Sequence, residues 1–500
     1  MTPDPAAGGD QADVDVLIVG AGLSGIGMAC HLRRELPGTS FAILEARSTI
    51  GGTWDLFRYP GIRSDSDMYT LGYNFRPWRG ARSIADGPSI LAYIRDTAAE
   101  YDVTSHVRFN ERAVAAAWSS EAACWTVTTE GTTPAADGDA TAARAHGTIT
   151  ARFLFMSTGY YRYDAGYSPD FPGRDRFSGP VVHPQHWPEG LDVAGNEVVV
   201  IGSGATAVTL VPALANQGAH VTMVQRTPTY VAALPSRDRV ADALRRRLPE
   251  DRAYAAIRRK NITTSALNYQ LSRKAPKVMK ALLRYGARKA LPADFDVDTH
   301  FAPPYNPWDQ RLCLAPDGDL FATITAGRAE VVTDRIATFT EVGVQLASGR
   351  QVPADVIVTA TGLNLLVLGG LRITVDDVAV QAADTVGYKG AMFSGVPNLA
   401  VALGYTNASW TLKCDLVSEY VCRLLAFMAE RGYREVMPLR PPAGLPTRPF
   451  IDFGAGYIQR SLADLPRQVD VDPWRLHQNY FRDRKLFVTD PLQDDGIRFR

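Results

Sequence analysis

The stretch DVLIVGAGLSGIGMA, at residues 15–29, decides the fold of the first part of the chain. It begins as an apolar, β-branched run, breaks at glycines and resumes with helical character, which predicts a strand, a tight turn and a helix. Its glycines Gly20, Gly22 and Gly25 form a GxGxxG pattern. The turn needs the first glycine, a pyrophosphate approaches the backbone at the second, and the helix packs against the strand at the third. The N-terminus of the helix then faces the phosphates.

An acidic residue follows this pattern at the spacing that a dinucleotide site requires. The next predicted strand, residues 41–44, ends in Glu45, twenty residues after Gly25. A carboxylate at this place accepts hydrogen bonds from the ribose hydroxyls. A lone GxGxxG is weak evidence, but the strand, the glycine turn, the helix and the acid together predict a dinucleotide site.

A second signature of the same kind lies at residues 197–207, EVVVIGSGATA. Gly202, Gly204 and Ala207 form a GxGxxA pattern between a predicted strand and a predicted helix. The same physical roles apply to these three positions, so the chain is expected to bind a second dinucleotide.

The strand after the second signature, HVTMVQR, ends in a basic residue instead of an acid. An NAD site carries Asp or Glu here to accept from the free 2′-hydroxyl. Arg226, with Thr227 beside it, suits a 2′-phosphate, so the second cofactor is predicted to be NADPH. The alternative is that Arg226 is a solvated surface residue, since arginine is mostly exposed.

Length and composition indicate a globular chain of two to four domains. Of its 500 residues, 46% are hydrophobic and 21% are charged, which allows a large core. The 53 Lys and Arg residues balance the 53 Asp and Glu residues, so the overall field gives no reason to expect nucleic acid or an acidic partner. Function must therefore come from sites.

Cysteine usage and the absence of an apolar leader favour the cytoplasm. No metal-ligand spacing and no CxxC pair occurs among the five cysteines, so no metal site is expected: Cys30, Cys124, Cys313, Cys414 and Cys422. Residues 2–13 lack the basic start and the apolar run of a secretory signal. The sequence contains no run of 18 or more apolar residues, so no membrane-spanning helix is expected.

A basic segment lies between the second signature and the C-terminal part. Residues 237–289 hold sixteen Lys or Arg and four Asp or Glu, with apolar residues at helical spacing. This pattern predicts an inserted helical subdomain. Its charge is either a solvated face or a basic amphipathic surface that rests on an anionic membrane, and the sequence leaves both open.

The stretch FSGPVVHPQHWP, at residues 177–188, fits neither a strand nor a helix and is predicted to connect domains. Clustered aromatics, glycine and proline are also common in ordinary linkers. The stretch reads FxGxxxHxxxWP, a pattern that resembles the fingerprint of the type I Baeyer–Villiger monooxygenases: Phe177, Gly179, His183, Trp187 and Pro188. Relatives that oxygenate amines and sulfides usually lack the Trp-Pro ending.

Residues 51–65, GGTWDLFRYPGIRSD, are predicted to form a loop against a cofactor, because glycines, aromatics, proline and arginines in a row do not pack as a regular element. They resemble a second signature of the same family, whose loop lies along the flavin. The resemblance implies cofactor contacts from Gly52, Thr53, Trp54, Tyr59 and Asp65. Asp65 matches the active-site aspartate of the family. The alternative is an acid that closes a turn or caps the following helix.

The segment YNPWDQRLCL, at residues 305–314, carries the residue that the resemblance implies as catalytic. Arg311 stands where the family keeps its catalytic arginine, and the alternative is a surface ion-pair residue. Gln310 stands where the family usually has a lysine that helps to hold the 2′-phosphate. This departure bears on the strength of NADPH selectivity and not on the chemistry. Further on, Asn407 in GYTNASW is a candidate for a flavin contact.

The resemblance extends from residue 15 to about residue 498 and implies the fold. It is an α/β fold with two Rossmann-like dinucleotide-binding domains, for FAD and NADPH, the second inserted in the first, plus a helical subdomain. The strand DVIVTATGL at residues 355–363 resembles the motif that links the two domains. We therefore predict an FAD-binding domain at 12–172 and 363–500, a linker with the fingerprint at 173–190, an NADP-binding domain at 191–230 and 305–362, and the helical subdomain at 231–304.

The implied activity is the Baeyer–Villiger oxidation of a ketone to an ester or lactone, with FAD, NADPH and O2, through a flavin C4a-peroxide. Oxygenation of a thioether or thioamide sulfur is expected beside it. The oxygen nucleophile and the tetrahedral adduct carry negative charge, which a fixed cation stabilises. Arg311 is always charged, and Asp65 orients its guanidinium through charge-assisted hydrogen bonds.

Two other functions stay open. A flavin-containing monooxygenase that oxygenates only nitrogen or sulfur needs no catalytic arginine, so Arg311, Asp65 and the Trp-Pro ending argue against it. A flavin electron-transfer reductase for a disulfide needs a pair of redox cysteines near the flavin, and Cys30 has no neighbour in the sequence to form one.

Overall fold

The computed structural model describes residues 12–132 and 146–500. Its largest element is a nine-stranded sheet whose centre is the first strand of the chain, Val14–Val19. This strand pairs in parallel with Phe41–Glu45 on one side and with His146–Met156 on the other. Residues 16–19 are buried, as expected for a central parallel strand covered on both faces. The order across the sheet is Val378–Val380, Arg372–Val375, Glu111–Ser119, Cys124–Gly131, His146–Met156, Val14–Val19, Phe41–Glu45 and Val107–Phe109, with Leu399–Val401 also paired to His146–Met156.

Two helices cover one face of this sheet and form its largest core. Leu23–Glu35 follows the first glycine turn and is buried from Leu23 to Leu32. It packs against the long helix Trp410–Arg431, which comes from the C-terminal part of the chain. The first strand and the last long helix thus belong to one core, although almost 400 residues separate them.

A second sheet has five parallel strands around Glu197–Ile201. The helix Ala205–Asn216 follows this strand and buries its apolar side chains against the sheet. Parallel strands need helical crossovers, and this strand–turn–helix unit supplies one. The order across the sheet is Ala329–Thr333, His220–Gln225, Glu197–Ile201, Val356–Thr359 and Val181–Val182.

The second sheet is inserted in the first. The chain leaves the first sheet after Met156, builds the second sheet from residues 181–359, and returns to the first at Arg372. The two connecting segments run side by side: the amide of Tyr167 donates to the carbonyl of Gly362 at 3.0 Å, and that of Arg162 to Asn364 at 2.9 Å. The predicted fold class is confirmed, whereas the exact domain borders stay a prediction.

Four helices lie between residues 239 and 301, a range that includes most of the basic segment. The first two pack against the core of the first sheet's domain, and the last two pack against the core of the second sheet's domain. The four helices are Arg239–Arg247, Glu250–Lys274, Pro276–Ala290 and Val297–Phe301. Arg258 is buried, donates to the carbonyl of Gly72 at 2.7 Å and pairs with Asp415 at 3.0 Å. The expectation of a solvated charge therefore does not hold for Arg258. Across the described ranges, no helix is long and apolar enough to cross a membrane.

Short elements complete the chain. The remaining α-helices of the described residues are Thr53–Leu56, Met68–Leu71, Gly87–Glu100, Asp319–Thr325, Gly456–Arg460 and Tyr480–Arg484. Val231–Leu234 pairs in parallel with Cys313–Pro316. The antiparallel sheets are Ile336–Thr340 with Gly343–Leu346 and Gln351–Pro353, Gly387–Tyr388 with Met392–Phe393, Val436–Pro438 with Ile497–Phe499, and Thr447–Pro449 with Arg467–Val469.

Candidate active site

A cleft of about 1470 Å³ lies where the two sheets meet. Val19 and Ile201, the last residues of the two central strands, both line it. Ligands of open α/β sheets bind outside the carboxyl ends of the strands. Pockets for one small molecule commonly measure about 300–1000 Å³. The volume therefore suits two dinucleotides better than one small ligand.

In the first glycine turn, only the second glycine, Gly22, leaves space for a phosphate, as the GxGxxG motif requires. Gly20 has φ +106°, and a Cβ there would lie 2.7 Å from the carbonyl oxygen of Ser157. A Cβ on Gly25 would lie 1.9 Å from the oxygen of Gly20, so packing excludes any side chain. Gly22 is different, since its Cβ would meet only Gly52 at 3.7 Å and it lines the cleft.

The helix Leu23–Glu35 begins at this turn with an open N-terminus. No described side chain caps it, and its first turn holds no acid. The first amides of a helix have no partner inside the helix, so they are available to an anion. Together with Gly22, these amides fit the pyrophosphate of FAD.

Glu45 holds the glycine turn and faces the cleft at the same time. Its carboxylate accepts from the amide of Ala21 at 2.8 Å and from the amide of Arg47 at 2.9 Å. The residue is 6% exposed, and burial raises the pKa of its carboxyl group. Glu45 lines the cleft, where its oxygens fit the ribose hydroxyls that the spacing predicted.

The predicted flavin loop contributes most of its expected residues to the cleft. Gly52, Thr53, Trp54 and Asp65 line it. Tyr59 does not: it packs against the core of the second sheet's domain, and burial raises its pKa to about 12. The fit of this loop to FAD therefore rests on Gly52, Thr53, Trp54 and Asp65, while Tyr59 holds the loop against the second sheet's domain.

We call a glycine turn with the open N-terminus of the helix behind it a nucleotide cradle. The second nucleotide cradle, at Gly202 and Gly204, has the same features as the first, at Gly20 and Gly22. The helix Ala205–Asn216 begins at Gly204 without a capping side chain from the described chain and without an acid in its first turn. A Cβ on Gly204 would meet nothing within 4 Å, and Gly204 lines the cleft. Gly202 has φ +137°, and its Cβ would lie 2.3 Å from the oxygen of Ala360. Ala207, in the first turn of this helix, is fully buried.

The residues predicted to recognise the 2′-phosphate lie together at the rim of this cradle. Arg226, Thr227 and Gln310 all line the cleft. Arg226 is exposed and forms no ion pair within residues 12–132 and 146–500, so its charge is available to a ligand. The hydroxyl of Ser203 donates to the carbonyl of Thr227 at 2.8 Å, which ties the glycine turn to this rim.

The two residues expected to be catalytic form an ion pair in the cleft. Nε of Arg311 donates to Oδ2 of Asp65 at 2.7 Å, and Nη2 lies 2.5 Å from the same oxygen. Both side chains are about one-third exposed, at 33% and 32%. Burial opposes the charged guanidinium, but the carboxylate of Asp65 and the hydroxyls of three nearby tyrosines together outweigh burial, so the pKa of Arg311 lies above its ordinary value. The neighbouring helix cap is Asp67, not Asp65.

A wall of aromatic side chains beside Arg311 was missed by the sequence reasoning. Tyr160, Tyr161, Tyr457 and Trp410 line the cleft, and ring centroids of Tyr160 and Trp410 lie 5.1 Å apart. Tyr160 and Tyr161 directly follow the end of the strand at Ser157-Thr158-Gly159, and this position could have identified them. Tyr457 lies in the C-terminal part of the chain, where no motif points to the site.

The fingerprint residues lie outside the cleft and join the two connecting segments. Nε2 of His183 lies 3.1 Å from the carbonyl oxygen of Gly362, and its Nδ1 accepts from the amide of Gln185. Burial lowers the pKa of His183, so the neutral ring donates through Nε2. Phe177 is buried, and a Cβ on Gly179 would lie 2.2 Å from the oxygen of Asp355. The contacts of the fingerprint residues thus hold the two connecting segments together.

Trp187 and Pro188, at the end of the fingerprint, and Asn407, the candidate for a flavin contact, also lie outside the cleft. Trp187 packs against the core of the second sheet's domain, and Pro188 is exposed. Asn407 is buried and donates to the carbonyl of Gln478 at 2.9 Å. It lines a second cavity of about 590 Å³. The structure does not bring Asn407 to the residues that fit FAD.

Comparisons with known proteins agree with this geometry. Residues 18–80 match the NAD(P)-binding Rossmann-like domain, and residues 135–275 match the pyridine nucleotide-disulphide oxidoreductase family. The FAD-containing monooxygenase EthA of Mycobacterium tuberculosis H37Rv is 53% identical over 490 residues, which cover 97% of both chains. EthA of Mycolicibacterium smegmatis is 53% identical over 486 residues, covering 97% of this chain and 96% of that protein.

Solved structures show the same fold. An oxidized steroid monooxygenase bound to NADP has a TM-score of 0.75 and 22% identity, and covers 97% of this chain and 99% of its own. A complex of OTEMO with FAD and NADP has a TM-score of 0.68 and 24% identity, covering 86% and 88%.

Two nucleotide cradles that open on one cleft, with an arginine–aspartate pair between them, define a flavoprotein with two dinucleotide sites. The 53% sequence identity to EthA over nearly the whole length shows which family of flavoproteins this is. The chain belongs to the family of FAD-containing monooxygenases that includes EthA. The family, fold class and enzyme class expected from the sequence are thereby confirmed.

Proposed function

We propose that this monooxygenase inserts one oxygen of O2 next to the carbonyl group of a ketone, giving an ester or lactone, with NADPH as reductant. It also oxygenates the sulfur of thioethers or thioamides. The observation that carries the proposal is the Arg311–Asp65 ion pair in the cleft between the two nucleotide cradles. An enzyme that oxygenates only nitrogen or sulfur does not need this fixed cation.

The cleft fits both cofactors. When bound, FAD takes up hydride from NADPH and activates dioxygen. Gly20, Gly22 and the open helix behind them suit its pyrophosphate, and Glu45 suits its ribose. Gly202, Gly204 and Arg226 suit NADPH. The steroid monooxygenase and OTEMO structures, which are named for bound NADP, support this assignment by fold.

Arg311 keeps hydrogen-bond donors free for a charged oxygen atom. A guanidinium has five N–H groups. Two of them point to Asp65 and one to the carbonyl of Thr406 at 3.4 Å, which leaves two without a partner in the described part of the chain. These two can hold a negatively charged oxygen nucleophile and the oxyanion that forms when it attacks a carbonyl carbon. Asp65 fixes the guanidinium plane and balances its charge when no anion is present.

The cysteines do not support the disulfide reductase. All five lie in the described part of the chain and are free. Burial raises the pKa of Cys30 and of Cys414 to about 12, which suppresses the thiolate that disulfide exchange requires. Cys30 also lies within the buried part of the helix Leu23–Glu35.

Product analysis tests the proposal. The FAD-loaded protein is mixed with NADPH, air and a set of aliphatic and aryl ketones, and with matched thioethers. We expect esters or lactones from apolar ketones, together with sulfoxides. Sulfoxides without any ester from the whole set would assign the chain to the nitrogen- and sulfur-oxygenating class.

The variant Arg226→Ala is expected to raise the Michaelis constant for NADPH and to leave that for NADH almost unchanged. A hydrogen bond to a charged group contributes about 1.5–3 kcal/mol, or about 10- to 150-fold in affinity. Steady-state kinetics with both coenzymes measure the effect. Arg328→Ala is the control, because Arg328 bonds to Asn216 on the same domain and does not line the cleft. Equal losses with both coenzymes would make Arg226 a structural residue.

We also propose that the helical insert contacts an anionic membrane through an apolar stripe. We define the apolar stripe as five exposed side chains on the helices Glu250–Lys274 and Pro276–Ala290: Leu267, Leu271, Val278, Leu282 and Tyr285. Their exposed fractions range from 43% to 66%. Between Asp251 and Asp294 the sequence has eleven Lys or Arg and no acid. Five of these cations pair with acids from outside this stretch, and six form no ion pair with the described residues. Such a face combines apolar burial with attraction to anionic lipid.

The double variant Leu267→Ser/Leu282→Ser is expected to lose binding to vesicles that contain phosphatidylserine. Each leucine should contribute about tenfold, because partial burial of such a side chain contributes about 1.5 kcal/mol. Cosedimentation with anionic and with neutral vesicles measures the effect. Val342→Ser is the control, since Val342 is 71% exposed but lies in the second sheet's domain. Equal binding to both vesicle types, or no loss in the double variant, would contradict the proposal.

A further inference from the structure

The loop at residues 405–408 contacts Arg311 at the one guanidinium nitrogen that Asp65 does not hold. Nη1 of Arg311 donates to the carbonyl of Thr406 at 3.4 Å, whereas Nε and Nη2 contact Asp65. Both contacts with Asp65 are made by the single oxygen Oδ2. The guanidinium can therefore turn within its own plane about this oxygen, and the contact with Thr406 opposes that turn.

This turn matters because it sets the direction of the remaining donors of Arg311. A guanidinium carries one N–H at Nε and two at each terminal nitrogen. One N–H on Nη1 and one on Nη2 have no partner in the described part of the chain, and the proposed function assigns the negatively charged oxygen to them. A donor stabilises such an oxygen at a distance of about 2.7–3.1 Å, so a small turn of the guanidinium weakens both contacts.

The position of Thr406 is set by Gln478, which lies in the C-terminal part of the chain. Oε1 of Gln478 accepts from the amide of Thr406 at 3.0 Å and from its hydroxyl at 3.3 Å. The backbone carbonyl of Gln478 accepts from the side-chain amide of Asn407 at 2.9 Å. Gln478 thus holds two consecutive residues of the loop, one through its side chain and one through its backbone.

Tyr405, the first residue of the loop, is anchored by the same C-terminal segment. Its hydroxyl donates to Oδ2 of Asp483 at 2.6 Å, and Nζ of Lys413 lies 3.1 Å from the same oxygen. The side chains of Lys413 and Asp483 are fully buried. Removal of either partner would leave a buried charge without compensation, so this anchor supports the fold and does not suit a mild variant.

Gln478 can be varied because it lies on the opposite side of the loop from the cleft. Its side chain is half-buried and lines the second cavity together with Thr406 and Asn407. It does not line the cleft. A change at Gln478 therefore leaves the residues that fit the two cofactors in place and does not alter the space for the substrate.

We infer that Gln478 is a positioning residue for ketone oxygenation: it fixes Thr406, whose carbonyl fixes the direction of the free N–H groups of Arg311. The inference rests on the proposed function. Oxygenation of a thioether does not need the fixed cation. Gln478 therefore supports formation of the ester and not formation of the sulfoxide.

The test compares one ketone and one thioether in variants of the holoenzyme. Gln478→Met keeps an unbranched side chain of similar length but replaces the acceptor oxygen by a weakly accepting sulfur. In this variant, we expect the ester formed per NADPH to fall about tenfold, with hydrogen peroxide released instead, and the sulfoxide formed per NADPH to change less than about twofold. Gln478→Glu keeps an acceptor oxygen and should retain ester formation within about threefold of the wild type.

Gln270→Met is the matched control, because Gln270 is exposed, lines the same cavity, and its side chain has no hydrogen bond with the described residues. FAD content and thermal unfolding show whether each variant is folded. If Gln478→Met is not folded, Thr406→Val takes its place. This change removes the hydroxyl that donates to Gln478 and should lower the ratio of ester to sulfoxide about threefold.

A wild-type ratio of ester to sulfoxide in Gln478→Met, or in Thr406→Val where it is used instead, overturns the inference and leaves the proposed function intact. Equal losses of both products also overturn it, because they indicate a general structural role. An equal loss of ester in Gln478→Met and Gln478→Glu does the same, since the acceptor oxygen would then not be the cause. A wild-type enzyme that forms sulfoxide but no ester defeats the proposed function itself.

Discussion

Arg311→Ala is expected to lower ester formation by about a hundred- to a thousandfold while oxidation of NADPH continues, because removal of one such donor to a developing oxyanion has this effect. The guanidinium lies in the cleft, and two of its N–H groups have no partner among the residues that the structure describes, so they can bind negatively charged oxygen. Hydride transfer does not use these groups. Activated oxygen that loses its cation should therefore leave as hydrogen peroxide instead of reaching the ketone.

Three measurements on the same sample check this prediction: NADPH consumed, ester formed and hydrogen peroxide released. The expected variant consumes NADPH at a rate near that of the wild type, and nearly all of it appears as peroxide. Arg350→Ala is the control, because Arg350 pairs with Glu330 at 2.6 Å away from the cleft. An ester yield like that of the wild type in Arg311→Ala would contradict the catalytic role. Loss of FAD on purification would make Arg311 a structural residue.

The nucleotide cradles could be predicted because their physical causes are local. Gly20 and Gly202 both need a positive φ, and both sit between an apolar strand and a helix, so a short stretch of sequence contains the whole requirement. Glu45 follows at a distance set by one helix and one strand. Each of these relations spans about 30 residues or fewer.

The ion pair in the cleft could be predicted only through the resemblance. The resemblance implied hydrogen bonds between Asp65 and Arg311, although 246 residues separate them. Their contact depends on how the inserted domain and the connecting segments fold, which no local pattern contains. The same reason hides Tyr457, which reaches the cleft from the C-terminal part.

Asn407 shows a different limit, which is the direction of a side chain in a loop. Tyr405 and Ala408 line the cleft, whereas Thr406 and Asn407 line the second cavity behind it. The loop at residues 405–408 separates the cleft from the second cavity, and neighbouring residues of the loop line different cavities. A motif match gives the position of such a loop but not which side chains face the ligand.

Charge patterns are limited in a similar way. The basic segment was correctly assigned to helices, yet Arg258 on its longest helix is buried against Asp415. The acid lies 157 residues further along the chain, on the helix Trp410–Arg431. A count of the charged residues in one segment does not reveal the ion-pair partners that other segments of the chain contribute.

Gly204→Val is expected to give a folded, FAD-loaded protein whose kcat/KM for NADPH falls at least about a hundredfold, since displacement of a reactant by about 1 Å can have that effect. Gly204 has an extended backbone, φ −77° and ψ −177°, which a β-branched residue adopts without strain. Its Cβ would meet nothing within 4 Å and would stand at the open end of the helix Ala205–Asn216. The side chain therefore fills the space that the pyrophosphate needs and disturbs little else.

Gly202→Val is the matched comparison two residues earlier. Gly202 has φ +137°, and a Cβ there would lie 2.3 Å from the oxygen of Ala360, so a side chain strains the strand and not the ligand. Thermal unfolding and FAD content should therefore drop for Gly202→Val and stay near wild type for Gly204→Val. Reduction of bound FAD by dithionite should also stay normal in Gly204→Val, because that reaction needs no NADPH. Normal NADPH kinetics in Gly204→Val would show that the second dinucleotide does not bind across this turn.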